Sequence, residues 1–273
     1  MSGAGEALAA TPRGAFGRHT QMLLAEQPWP TIDGLSRDTP VVIPIAAVEQ
    51  HGHHLPVFTD SMLLGEIVRR IEAELSGQVL ITPLQWLGNS HHHMDFPGTL
   101  SAAPRTYLDL IDGLMEAMLL HGFTRILLFN GHGGNDVPAK QVTFEVRQRH
   151  RDRSDLLLLS ATYWSLGARP WEGRGDLEQH AMGHACEWET SMMLRIAPQL
   201  VGDYAACETI EPGNPFLPAS RGWITKDLSA IGHIGSPQLA SAEKGEHLLA
   251  AFTSDAAAML GRMRHWDGVS WEG

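Results

Sequence analysis

Glu49, His51, His53, His54 and Asp60 stand within the thirteen residues from Val48 to Asp60, and each can offer a nitrogen or an oxygen to a metal ion. They follow the apolar run Val41 to Val48 (Val-Val-Ile-Pro-Ile-Ala-Ala-Val), which reads as a buried strand. On an extended chain residues two apart point the same way. Glu49 and His51 can therefore present a carboxylate oxygen and an imidazole nitrogen to one spot beyond the strand. Gly52 and Pro56 turn the chain, and Asp60 precedes Ser61 to Val68, whose apolar residues recur at helical spacing. That places Asp60 at or near a helix N-cap, where a rigidly held carboxylate can bridge two cations. In the competing reading Asp60 only caps the helix and the histidines line a polar loop. Burying Glu49, His51 and Asp60 together without a partner is costly, which favours a metal.

The elements that would hold these groups follow from the hydrophobic pattern. A helix is expected from Ser61 to Leu75, ended by Gly77, and a strand over Val79 to Leu84. The polar loop Gly88 to Thr99 comes next, at the end of a strand, where open α/β sheets place ligands. His91, His92 and His93 cannot all point the same way; Ser90, His92 and His93 are the candidates to face a site. Pro104 to Leu120 reads as a helix with Leu108, Ile111, Met115 and Met118 as its core stripe. Arg125 to Phe129 is a buried strand running into Asn130-Gly131-His132-Gly133-Gly134-Asn135. The glycines permit a tight turn that stands His132 at the strand edge. A phosphate-binding loop is the rival reading, but the string lacks the Lys-Ser/Thr ending of a P-loop. A helix from Asp136 to Arg149 and a strand from Leu156 to Thr162 complete the alternation, which predicts an α/β fold with a mainly parallel sheet covered on both faces.

A second chemical stretch runs from His180 to Leu194. If a helix spans Cys186 to Ile196, Glu187 shares a face with Ser191 and Arg195, whereas Glu189 shares one with Met193 and Ile196. Glu189 is then the inward candidate, and Glu187 is expected to meet water or Arg195. His184, just before the helix, suits a proton shuttle. Asp176, Glu178 and His180 can reach the same pocket, though nothing in their spacing compels it. Residues 201–235 are rich in Gly, Pro and aromatics and suit a pocket wall or a subunit contact. Ser236-Pro237 signals the start of a closing helix to about Arg264.

At 273 residues, with 43% apolar and 19% charged content, the chain suits one large domain spanning residues 1–273, with a mobile start over residues 1–20. A net charge of -11 argues against nucleic acid and anionic membranes as partners. Fifteen histidines against two cysteines favour zinc, manganese or iron held by imidazole and carboxylate. Cys186 and Cys207 read as reduced thiols. With no signal-like apolar core at the start and no run of about 20 apolar residues, a soluble cytoplasmic protein is expected.

Together, Glu49-x-His51, Asp60, Phe96-Pro97-Gly98-Thr99, Asn130 to Asn135, His184-Ala185-Cys186-Glu187-Trp188-Glu189-Thr190-Ser191 and Gly235-Ser236-Pro237 resemble the creatininase (creatinine amidohydrolase) family, in the family's order, from about Val41 to Leu249. The resemblance implies a three-layer α/β/α sandwich, two divalent metal ions per chain (zinc, manganese or iron), a small-molecule substrate and a homohexamer. It places Glu49, Asp60 and His132 on one ion, with His51 and Asp60 on the other and Asp60 as the bridge. Creatininase itself looks to use Asn-Gly-His-Tyr-Glu-Asn, with the glutamate as a ligand of the second metal. This chain has Gly134 there, so the missing ligand is assigned to Glu189, as in a double-glycine branch of the family.

The expected function is hydrolysis, in which a metal-bridging hydroxide attacks the carbonyl of a small, cyclic amide or of a formamide. His184 would pass the proton to the leaving group, and Ser90, His93 and Trp188 would position substrate. The departure at Gly134 makes creatinine itself a doubtful substrate. Opening of a cyclic 1,3-diketone derived from an inositol by carbon-carbon bond hydrolysis is the alternative, and a catalytically silent metal-binding scaffold is the other.

Overall fold

The computed structural model describes residues 22–271; the start expected to be mobile, residues 1–20, lies outside them. The apolar runs form strands β1 (Val41–Ile45), β2 (Leu80–Ile81), β3 (Arg125–Asn130) and β4 (Leu157–Thr162). Among the described residues these make a parallel sheet in the order β2-β1-β3-β4.

Strand periodicity then sorts the side chains into two cores. Val41, Ile43, Ile45, Ile126 and Leu128 face helices α3 (Pro104–Leu120) and α4 (Asp136–Arg149), which contribute Tyr107, Ile111, Met115, Val142 and Val146. Val42, Leu127 and Phe129 face the other side. There α2 (Thr59–Glu74), α5 (Glu187–Ile196) and α7 (Ala242–His265) contribute Leu63, Leu64, Ile67, Met192, Leu248 and Phe252. At about 1.5–3 kcal/mol for each large apolar side chain fully buried, both interfaces are strongly held, and the fold is an α/β/α sandwich. Two short helices, α1 (Trp29–Asp33) and α6 (Thr225–Leu228), lie outside the layers' main packing.

Several boundaries differ from expectation for local reasons. β1 ends at Ile45, where Ala46 N donates to Gln85 O at 2.9 Å in an isolated parallel bridge. β2 shrinks to two residues, and Pro83, which has no N–H, cannot extend it. α2 begins at Thr59, so Asp60 sits inside its first turn rather than at the cap. In α3 the fully buried row is Tyr107, Ile111, Met115 and Leu119, shifted from Leu108 and Met118. Ser236-Pro237 opens only a 3-10 turn, and α7 starts after Ser241, whose Oγ accepts from Lys244 N at 3.3 Å. No helix among the described residues is long and apolar enough to cross a membrane.

Candidate metal centre

β1 and β3 are neighbours whose last residues, Ile45 and Asn130, are in register, so the loops that leave them emerge side by side. Asn130 folds its own turn: Oδ1 accepts from His132 N at 3.0 Å, and Nδ2 donates to His132 O at 2.7 Å and to Thr162 Oγ1 at 2.9 Å. Gly131 is required by close approach, since a Cβ there would lie 2.8 Å from Leu64 Cβ on α2. Asn135 ties the loops together by donating to Ala46 O and accepting from Asn89 N, both at 2.9 Å. On α2, Ser61 Oγ donates to Ala47 O at 2.7 Å, which seats the first turn, and Asp60 with it, against the β1 exit.

These contacts bring Glu49, His51, Asp60, His132 and Glu189 into one buried cluster. Asp60 lies between the two histidines: Oδ1 is 3.1 Å from His51 Nε2, and Oδ2 is 3.1 Å from His132 Nδ1. His51 Nδ1 donates to Glu49 O at 3.1 Å, and His132 Nε2 donates to Asn89 O at 3.1 Å. Each ring is thereby oriented by a carbonyl, with its other nitrogen aimed at Asp60, which is the arrangement of a metal-ligating histidine. Glu189 Oε1 stands 3.7 Å from His51 Nε2, and Glu49 Oε2 stands 3.3 Å from His132 Nε2. Glu49 Oε2, Asp60 Oδ2 and Glu189 Oε2 are all buried without a formed hydrogen bond, and only the His132 ring approaches the first two. Three carboxylate oxygens left so in one place cost several kcal/mol unless a cation meets them, and the imidazole and carboxylate set fits zinc or manganese.

The electrostatics agree. Burial would lower the imidazole value of His51, but Asp60 and Glu189 outweigh it and hold the ring well above its usual range. Burial opposes the charge on His132 too, yet Glu49 and Asp60 push it up to about 10. Burial would raise Glu49, whereas His132 and His93 keep its carboxyl well below the usual range. Glu49 therefore stays ionised, and the centre gathers positive charge. His184 behaves oppositely: burial, then His51 and His93, hold it well below its ordinary value. Its Nε2 donates to Gln50 O at 2.7 Å, so the neutral ring presents the Nδ1 lone pair, 3.5 Å from Glu49 Oε1.

A cavity of about 670 Å³ opens over the cluster, lined by Glu49, Asp60, His132, His184 and Glu189 and walled by Trp164, Met182 and Trp223. His93 lines it too, with Nε2 3.2 Å from Glu49 Oε1. Ser90 does not line it; fully buried, its Oγ lies 3.3 Å from His132 Nε2. Trp188 is also elsewhere, in the core, its Nε1 donating to Gln179 O at 3.0 Å and its ring stacked on Trp171. Glu187 meets neither water nor Arg195. It is fully buried, with Oε1 2.7 Å from Lys244 Nζ, while Oε2 accepts from the amides of Glu178 and Gln179. Asp176, Glu178, His180 and His53 are exposed and outside the cavity lining, as is His91.

Gln50 is the organiser that the spacing hid. Its Nε2 donates to Gly232 O at 3.0 Å and lies 2.8 Å from His93 Nδ1, while Oε1 accepts from Gly52 N at 2.9 Å. Alternation along an extended chain would turn Gln50 away from Glu49 and His51, but the chain bends at Gly52, where φ is 63°. His92 reaches the cavity as well, its ring stacked 5.7 Å from that of His132. It also explains Gly134. A Cβ there would meet Asn89 O at 2.3 Å and His92 Cε1 at 2.8 Å, so no side chain can enter from this position.

Comparison with known proteins finds relatives of this chain. The Creatininase (creatinine amidohydrolase) family model matches residues 25–260. The mycofactocin precursor peptide peptidase of Mycolicibacterium smegmatis is 29% identical over 231 residues, covering 83% of this chain and 85% of that protein. The creatinine amidohydrolase of Pseudomonas putida is 27% identical over 226 residues, with 78% and 85% covered. A solved structure titled "Creatininase Mn" matches at a TM-score of 0.73 and 25% identity, covering 88% of this chain and 97% of that one. A parallel α/β/α sandwich with a buried histidine and carboxylate centre beyond its strand ends, set beside these relatives, defines a metal-dependent hydrolase. The chain belongs to the creatininase family.

Proposed function

We propose that this protein hydrolyses an amide carbon-nitrogen bond, in a small cyclic amide or a formamide, using two divalent ions per chain. The observation that carries the reading is Asp60 set between His51 and His132, with one buried oxygen each of Glu49 and Glu189 beside it that lacks a formed hydrogen bond. Glu49, Asp60 and His132 would hold one ion; His51, Asp60 and Glu189 would hold the other. When bound there, such ions would supply an acidified water and a Lewis acid for a carbonyl.

The chain's own groups then divide the remaining work. His184 Nδ1 is free of a protein hydrogen at neutral pH and faces the centre, so it can take a proton and return it to the departing nitrogen. His93, fixed through Nδ1 by Gln50 and by Thr225 Oγ1 at 2.9 Å, lies beside Glu49 and suits holding the carbonyl side of the substrate. Trp164, Met182 and Trp223 narrow the cavity with apolar surface and restrict water around the scissile bond. Ser90 orients His132 rather than substrate. Relatives named as a peptidase and as an amidohydrolase support an amide as the target.

The experiment is turnover of zinc- or manganese-loaded protein on a panel of cyclic amides, N-formyl amines, short peptides and cyclic 1,3-diketones, with product analysis. Release of an amine, ammonia or formate that disappears in Asp60→Asn supports the proposal. A linear keto acid as the product would replace it with carbon-carbon hydrolysis, and full metal loading with no turnover would replace it with a scaffold role.

A further inference from the structure

Behind the carboxylate centre lies a second group of donor atoms that shares no ligand with it. A ring nitrogen each from His54 and His233 and the sulfur of Cys207 all lie within 4.8 Å of one another. The three residues come from separate segments brought together by backbone pairing. Gly202 N donates to His54 O at 2.7 Å, and Ile210 and Gly235 exchange hydrogen bonds at 3.0 and 2.8 Å. Both histidines are buried, His54 at 2% and His233 at 0% exposure, whereas Cys207 is half-buried.

The hydrogen bonds around the rings fix which nitrogens carry lone pairs. Thr190 Oγ1 gives its own hydrogen to Ala185 O, so at 2.9 Å from His54 Nε2 it accepts from that ring. Glu208 O, 2.8 Å from His233 Nε2, can only accept. Both imidazoles therefore keep their hydrogen on Nε2 and a lone pair on Nδ1. His54 Nδ1 points at Cys207 Sγ, 3.7 Å away, and His233 Nδ1 is buried without any hydrogen-bond partner. Imidazoles oriented by a carbonyl or hydroxyl on one nitrogen and open on the other are the usual partners of a metal. With Zn–S of about 2.3 Å and Zn–N of about 2.0–2.1 Å, tetrahedral neighbours sit roughly 3.5 Å apart. The His54–Cys207 separation of 3.7 Å is close to that.

We propose that His54 Nδ1, His233 Nδ1 and Cys207 Sγ form a separate site for a borderline-soft divalent cation of the zinc type. One thiolate and two imidazoles select such an ion over magnesium or calcium, in contrast to the sulfur-free centre above. The half-buried face of Cys207 leaves the fourth position to solvent. An ion there staples the 202–210 segment to the His54 loop and to the 232–235 segment, whose Ile234 pairs with His184. The proposal stands independently of the reaction assigned to the carboxylate centre.

Cobalt(II) is the probe, because thiolate-to-cobalt charge transfer absorbs in the near ultraviolet and the carboxylate centre has no sulfur to produce it. The full-length protein loaded with cobalt should show this band. It should vanish in Cys207→Ser, weaken strongly in His233→Gln, and persist in Cys186→Ala and in Asp60→Asn. A cobalt-loaded parent without the band, or a band that survives Cys207→Ser, overturns the site. Because either variant can disturb folding, the parent is also alkylated with iodoacetamide, with and without zinc. Protection of Cys207 by zinc, read by peptide mass spectrometry, is expected; an unchanged alkylation rate counts against the site whatever the variants do.

Discussion

Glu187 and Glu189 stand two residues apart at the start of one helix, both buried, and their surroundings separate structure from chemistry. Glu187 is fully answered: Lys244 meets one oxygen and two backbone amides meet the other. Glu189 faces a cavity with one oxygen lacking any donor. A buried carboxylate whose hydrogen bonds are complete holds elements together, here α5 against α7. One left incomplete beside two other such oxygens costs stability and is retained for what binds it.

That contrast is most exposed to test at Glu189. Glu189→Gln should lower activity by about a thousandfold, equivalent to the several kcal/mol of charge stabilisation a metal supplies. Elemental analysis should find metal falling from about two ions per chain to about one, in line with a two-metal site. The melting temperature of metal-free protein should hold or rise, since a like charge leaves the cluster. A variant that keeps full metal and full activity would remove Glu189 from the centre.

Lys244→Met should do the reverse. Leaving Glu187 buried and unpaired costs about 3–5 kcal/mol, read as a lower denaturation midpoint, with metal content per folded chain unchanged. Loss of metal without loss of stability would dissolve the distinction between the two glutamates.

His184→Asn sharpens the contrast inside the cavity. It removes the Nδ1 lone pair but none of the proposed ligands, so steady-state rates should fall about a hundredfold with metal content unchanged. Equal loss of metal would make His184 a ligand rather than a proton carrier.

The smallest effect belongs to a half-buried ion pair, Arg70 with Glu246. The Glu246 carboxyl, ordinarily near 4.5, is pulled down to about 2 by Arg70 against a burial effect that would raise it, with Arg195 assisting. Its folded value is depressed, so the stabilisation is complete above the unfolded value of about 4.5 and is lost as pH falls towards 2. Glu246 is 45% exposed, which keeps the contribution small. Arg70→Gln should be slightly less stable than the parent at neutral pH, and the gap should close on acidification in denaturation curves.

Part of the cluster was readable from spacing. Glu49, His51, Asp60 and His132 each follow an apolar strand or open a helix, and polar groups beyond strand ends converge whenever strands lie parallel and adjacent. Helical periodicity separated Glu189, which lines the cavity, from Glu187, although both are buried. The same periodicity misplaced Glu187, because its partner Lys244 lies 57 positions away on another helix. Trp188 was misjudged for a related reason: its neighbour Trp171 comes from a loop that no pattern connects to α5.

By itself the sequence determined the layer arrangement, since alternation of apolar runs with helical stripes admits a parallel sheet with helices on both faces, and it gathered the candidate ionisable groups beyond the strand ends. Only the tertiary structure decided how those groups pair. It turned Gln50 inward at Gly52, filled the space beside Gly134 with Asn89 and His92, and set His54, Cys207 and His233 together from three distant segments. Local pattern depends on neighbours along the chain, whereas hydrogen-bond satisfaction and metal ligation depend on neighbours across it.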